Sequence, residues 1–162
     1  LPNIQIRTAT LADLDAISHL ADESSHLHHQ QAPEVFAEPD RLRDLSLWQE
    51  RLSIPSHIVF VATLLNSSTE NIIGFLSAQL TQTPPVPVLV QKTFCRIGTI
   101  VVGSAYGGLG AGRMLMQAAE NWAKTQAVDE IRLEVMAFNE KAMKLYSNEG
   151  FETSFHTFSK RI

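Results

Sequence analysis

The sequence predicts an α/β fold, a mixed and mostly antiparallel twisted sheet flanked by helices on both faces. Three observations carry that expectation. Strand-like and helix-like patterns intermix along the chain in the order β-α-α-β-β-β-α-β-α-β. Two apolar runs of strand length, "IVFVATLL" and "NIIGFLSAQL", are joined by the polar "NSSTE" and read as an antiparallel hairpin. A later strand, "FCRIGTIVV", runs through a glycine cluster into a helix pattern. Elements that alternate in this way must bury apolar faces on both sides of one sheet.

Each element has a local reason. "IQIR" (Ile4 to Arg7) alternates as a short strand. In "TLADLDAISHLADES", Thr10 and Asp13 resemble a capping box with Asp in place of Glu, and Leu14, Ile17 and Leu20 recur at helical spacing. "SSHLHHQQAPEVFAEP" is polar, holds two prolines, and reads as a loop or broken helix. Asp40 is placed to cap a helix carrying Leu42, Leu45 and Leu52. After the hairpin, the three prolines of "TQTPPVPV" exclude a sheet interior and leave a loop. The helix after the glycines presents Ala111, Met114, Leu115, Ala118 and Trp122. "EIRLEVMAF" reads as a strand with Ile131, Leu133 and Val135 on one side. "NEKAMKLYSNEG" is a short helix capped by Asn139, with Gly150 just past its end. "FETSFHTF" closes as a strand.

Bulk properties narrow the functional classes. The 162 residues suit one domain, 1–162, with no internal repeat or dividing linker. A net charge of −4 argues against a general nucleic-acid binder, and Arg7, Arg41, Arg43, Arg51 and Lys92 form no basic run. Cys95 is the single cysteine and reads as a packing residue, which excludes an intramolecular disulfide. No apolar run is long enough for a membrane helix, and "LPNIQIRTAT" has no secretory pattern. A cytoplasmic protein is expected. His26, His28 and His29 form "HLHH", but no second cluster completes a ligand set, so no metal is expected.

Gly107, Gly108, Gly110 and Gly112 separate a strand from a helix. Unpaired N–H groups and the dipole make a helix N-terminus a natural seat for phosphate. The P-loop pattern fails because Arg113 and Met114 follow Gly112. The dinucleotide pattern G-x-G-x-x-G fails in both registers. Taken alone, the cluster fits either a phosphate cradle or a tight turn.

The second half of the site, "LEVMAFNEKAMKLYSNEGF", gives the cluster a companion. Together they resemble the GCN5-related N-acetyltransferases. That family shows Gln/Arg-x-x-Gly-x-Gly/Ala between a strand and a helix, which falls here on Gly107, Gly108, Leu109, Gly110, Ala111 and Gly112. Downstream it shows Asn, Ala, Leu-Tyr and Gly-Phe, matched by Asn139, Ala142, Leu145, Tyr146, Gly150 and Phe151. The resemblance implies an acyl-CoA N-acyltransferase-like fold and an enzyme that moves an acetyl group from acetyl-CoA to a primary amine. The amine would attack directly in a ternary complex.

The resemblance also implies roles for individual residues. The CoA pyrophosphate would lie on the backbone of Gly107 to Gly112, with Arg113 adding charge. The pantetheine arm would run beside Ile100, Val101 and Val102 like an added strand, and Asn139 and Ala142 would complete the cofactor side. An N–H near Val101 would face the thioester oxygen. Tyr146 would protonate the departing thiolate; read without the motif, it is a core aromatic. The sequence departs from the family at Gly107, where Arg or Gln is usual, and at Gly98 and Thr99, where an acidic residue is common. His28, His29, Phe36 and Glu134 are candidate acceptor-side residues; Glu134 also reads as a solvated or salt-bridged side chain. The acceptor is expected to be a small-molecule or peptide amine, and a homodimer is expected. The alternative is a catalytically weak or inactive acyl-CoA-binding or dimerising module of the same fold.

Overall fold

The computed structural model describes residues 2–66 and 68–162. Leu1, and Ser67 in the expected hairpin turn, lie outside the described residues. Five strands form one sheet in the order β1 (Ile4–Thr8), β2 (His57–Asn66), β3 (Thr69–Gln82), β4 (Thr93–Val102), β5 (Ile131–Leu133). The first three pairings are antiparallel and β4–β5 is parallel, so the sheet is mixed and mostly antiparallel.

Helices α1 (Leu14–Gln31) and α2 (Arg41–Ser53) cover one face. Ile17, Leu20, Trp48, Val59, Val61, Phe75 and Val101 are buried together there. Helices α3 (Ala111–Thr125) and α4 (Glu140–Asn148) lie over the other. Leu76, Cys95, Ile97, Leu115, Ala119 and Tyr146 form that second core. Strand alternation sends neighbouring residues to opposite cores, as Phe75 and Leu76 do, both at 0% exposure. Truncating Phe75 to Ala would cost roughly 3–5 kcal/mol.

The ends of the helices follow the expected chemistry. The Thr10 N–H donates to Asp13 Oδ2 at 2.8 Å, and the Arg7 guanidinium grips the same carboxylate with bonds of 2.7 and 2.9 Å. Asp40 Oδ1 accepts the Arg43 N–H at 3.1 Å and starts α2. Asn139 Oδ1 accepts the Ala142 N–H at 3.2 Å and starts α4. The proline-rich stretch after β3 is a loop, as expected.

Four expectations change, and one open reading closes. Of the loop and the broken helix allowed for "SSHLHHQQAPEVFAEP", the broken helix holds: α1 runs on to Gln31 and stops at Ala32, where Pro33 disfavours helical backbone. On α2 the buried positions are Asp44 and Trp48, while Leu42 is exposed. On α3 the buried stripe is Ala111, Leu115, Met116, Ala119 and Ala123, and Met114 faces out. Strand β5 keeps only three residues of "EIRLEVMAF". The segment "FETSFHTF" is not a strand: residues 151–162 have no regular structure, and Phe155 and Phe158 are exposed. Its pattern matches a strand, but a strand needs a neighbour to satisfy its backbone, and none of the described strands pairs with it.

Candidate functional site

The site is built around a bulge in β4. Ser77 pairs with Thr99 and Ala78 with Ile97, so Gly98 is the extra residue. A bulge bends its strand, and β4 leaves β5 at this point. The last paired residues are Ile97 and Leu133. Beyond them, the β5-facing backbone groups of Thr99 to Val102 have no strand partner among the described residues. An extended ligand can add itself there as a further strand. Ile100, Val101 and Val102, the residues expected beside the pantetheine arm, lie on this stretch.

Val102 leads into a turn of 3-10 helix at Ser104–Tyr106 and then into the glycines. Glu23 of α1 accepts the Ser104 N–H at 2.8 Å and ties the loop to the first helix. Gly108 and Gly110 have φ of 79° and 89°, values that side chains strain to adopt. Gly110 is the N-cap of α3. The turn therefore brings the loop back onto the axis of a 15-residue helix, with the exposed stretch Gly107–Gly110 in front of its unpaired N–H groups. A Cβ on Gly112 would stand 3.3 Å from Leu145 Cδ2 and 3.8 Å from Val102 Cγ2. Glycine at that position lets α3 pack closely on α4 and β4. A loop of this shape fits a pyrophosphate.

Gly107 itself has an unexpected neighbour. A Cβ built on it would lie 3.3 Å from Lys141 Nζ. A cation from the first turn of α4 thus occupies the space that a side chain at residue 107 would enter. Arg113 does not serve in this way, because its guanidinium turns to Glu149 at 3.5 Å.

Tyr146 lies in the core under α4, close to Phe151 with ring centroids 6.0 Å apart. Burial pushes its hydroxyl above the usual tyrosine value, so the group keeps its proton at neutral pH. It shares the α3–α4 core with Ile97, Ile100, Val102 and Leu133, the residues around the parting of β4 and β5. Tyr146 is thus a core ring whose hydroxyl keeps its proton at neutral pH. Asn139 has one amide atom committed to capping α4 and the other, Nδ2, left to donate. Cys95 is buried and its thiol is pushed up to about 11, which makes it a packing residue.

The acceptor-side candidates separate. His28 and Phe36 meet edge to face at 4.9 Å, and Phe138 joins His28 at 5.5 Å, so the end of α1 touches the residue before Asn139. His29 Nδ1 is 2.8 Å from the Phe36 carbonyl and holds the chain after α1 in place. Glu134 is 85% exposed and paired with Arg96 at 3.0 Å, which is the solvated role. No group of metal-ligating side chains occurs among the described residues, and none of the helices described there is long and apolar enough to cross a membrane.

Sequence reading missed Lys141 at the glycine loop and the bulge at Gly98. It also missed a cavity beside that bulge, lined in part by Arg51, His57 and Arg96. Each joins residues far apart in the chain, and no spacing rule marks them. The one available signal was Gly98 inside an apolar strand pattern, which is a bulge indicator.

Comparison with known proteins follows the same lines. The family model described as "Acetyltransferase (GNAT) family" matches residues 21–151. A comparison with curated proteins finds no match. Among solved structures, a tetramutant of the BH1408 protein from Bacillus halodurans is 25% identical, with a TM-score of 0.88 over 98% of this chain and 99% of that one. Aminoglycoside N-acetyltransferase AAC(6')-Iy in complex with CoA is 18% identical, with a TM-score of 0.75 over 100% and 96%. Apo aminoglycoside 6'-N-acetyltransferase AAC(6')-IG from Acinetobacter haemolyticus is 19% identical, with a TM-score of 0.72 over 98% and 99%. At these last two identities the likeness is one of fold.

Proposed function

The chain belongs to the GNAT acetyltransferase family, and on that premise we propose that residues 1–162 form one domain that acetylates a primary amine from acetyl-CoA. The single observation that carries this reading is the parting of β4 from β5 after Ile97 and Leu133. It opens backbone groups for an extended arm between a glycine-opened helix and the protonated Tyr146.

Each residue then has a task. The N–H groups of Gly108 to Gly112 receive the pyrophosphate, with Lys141 supplying the charge that residue 107 lacks. The backbone from Ile100 to Val102 and the Asn139 amide hold the pantetheine arm. An N–H near Val101 faces the thioester oxygen as charge develops on it. The amine nitrogen bonds to the acetyl carbon, the carbon–sulfur bond breaks, and Tyr146 gives its proton to the sulfur. The amine enters as the free base, its surplus proton leaves to solvent, and solvent returns a proton to Tyr146. Holding both reactants in one cleft supplies proximity.

The aminoglycoside N-acetyltransferases that share the fold are named for small-molecule amines. A small-molecule or peptide amine is the acceptor class we carry over. A homodimer is part of the reading, supported by the exposed Phe155 and Phe158 and by the edge of β5 that no described strand covers; light scattering tests it. A cytoplasmic setting is part of it too, since buried Cys95 needs no oxidising compartment.

A second reading, an acyl-CoA-binding module without turnover, is favoured by the absence of any carboxylate lining the cavity at the bulge. Calorimetry with acetyl-CoA followed by thiol release against an amine panel separates the two. Binding with turnover supports the enzyme, binding alone supports the module, and no binding removes both.

A further inference from the structure

On the α1–α2 face of the sheet, beside the bulge, lies a cavity of about 240 Å³. Arg51, His57, Ser77, Gln79, Arg96 and Gly98 line it. These residues come from the end of α2, the start of β2, the end of β3 and the first half of β4. Gly98 links the cavity directly to Thr99–Val102, the stretch that borders the thioester slot.

The chemistry of the lining is one-sided. Arg51 is half-buried, with its guanidinium over the Trp48 ring at 4.7 Å. It forms no ion pair among the described residues, although the charge of Glu50 reaches it, and burial works against its cation. Arg96 does have a partner in Glu134, but that carboxylate is almost fully in solvent, where pairing is worth little. His57 Nδ1 is buried with no hydrogen-bond partner. Burial and the nearby Arg51 charge lower the His57 pKa, so the imidazole is neutral at pH 7. Ser77 adds a buried hydroxyl and Gln79 a carboxamide. The cavity therefore holds two cations, three neutral hydrogen-bonding groups and no anion.

Such a lining lacks its counter-charge. A half-buried guanidinium without a partner is costly, and a carboxylate satisfies it with two parallel bonds. We propose that the acetyl acceptor is an amino acid, its carboxylate held by Arg51 and Arg96 in this cavity and its amine directed across Gly98 to the thioester. The volume suits a compact group of this kind. The same two charges repel polycationic amines, so the fold likeness to aminoglycoside enzymes does not extend to their substrates. This assignment rests on the acetyltransferase reading and specifies its acceptor.

Thiol release from acetyl-CoA tests it, using α- and ω-amino acids, each beside its own carboxamide, and an aminoglycoside as the polycation. Each pair is compared at a pH where both amines are largely free base. The expected result is at least one amino acid with a kcat/KM about tenfold or more above its carboxamide, the gain of a charge-assisted pair, and a poor aminoglycoside. Arg51→Met should raise the KM for that amino acid and abolish the preference over the carboxamide, with the acetyl-CoA KM unchanged. Arg96→Met provides the same test if the first variant fails to fold. Equal or better turnover of the carboxamides, preference for the aminoglycoside, or an unchanged preference in the folded variants would overturn the assignment. Acetyl-CoA binding in calorimetry with no release by any amino acid also overturns it but leaves the cofactor reading standing. No acetyl-CoA binding overturns both.

Discussion

Lys141 Nζ stands 3.3 Å from the point where a Cβ on Gly107 would be. One residue gives up its side chain and another, on α4, brings a cation to the same place. Phosphate binding needs charge near the loop, not charge from a particular position in the chain. Lys141→Met should therefore weaken acetyl-CoA binding by about three- to tenfold. The loss should shrink as salt is raised. Calorimetry at two ionic strengths checks both effects, and an unchanged affinity would remove Lys141 from the site.

Gly110 has φ of 89° at the N-cap of α3. An alanine there meets no neighbour within 4 Å, so the substitution isolates backbone strain from crowding. Gly110→Ala should cost about 1–2 kcal/mol in stability and weaken acetyl-CoA binding by re-aiming the first N–H groups of the helix. Thermal unfolding with and without acetyl-CoA measures the two effects. Full affinity in a folded variant would mean that the loop holds no phosphate.

In the proposed mechanism the hydroxyl of Tyr146 is the proton donor, and its removal leaves the ring in its core. Tyr146→Phe should lower kcat by about 10²-fold and leave acetyl-CoA binding intact. The wild-type rate should rise with pH as the amine loses its proton. It should then fall as Tyr146 ionises, above the ordinary tyrosine value because burial raises it. The falling limb should vanish in the variant. Equal turnover by the two proteins would leave Tyr146 with its packing role alone.

Asp13 is buried against Arg7 and receives the Thr10 N–H. The Arg7 guanidinium holds its carboxyl below the usual range, against the opposing cost of burial. A carboxyl depressed in the folded state adds stability that is complete above its unfolded value, near 3.9. That stability is lost as pH falls through the lower folded value. Asp13→Ala should cost about 2 kcal/mol at pH 7, reduced because Arg7 is partly in solvent. The gap from wild type should narrow as the pH falls below the unfolded carboxyl value and through the lower folded one. Urea midpoints across that range check it.

The local structure around the candidate site was legible where the signal is local. The Asn139 cap, the break after α4 at Gly150 and the glycine turn each declare themselves within a few residues. Near His28 the choice between a loop and a broken helix stays open in the sequence, because polar residues continue a helix as readily as they form a loop; α1 runs to Gln31 and ends before Pro33. The strand expected at Phe151–Phe158 satisfies its own pattern and fails for want of a partner, which no local pattern reports. Lys141 beside Gly107 and the shared cavity of Arg51 and Arg96 depend on how distant elements meet, so they appear only once the sheet is assembled.

The most direct test of acetyl transfer in a ternary complex is the initial rate of thiol release, with acetyl-CoA and an accepted amine varied together. The account predicts double-reciprocal lines that intersect, since both reactants must be bound before the carbon–sulfur bond breaks. Parallel lines, or release that does not depend on the amine, would contradict it.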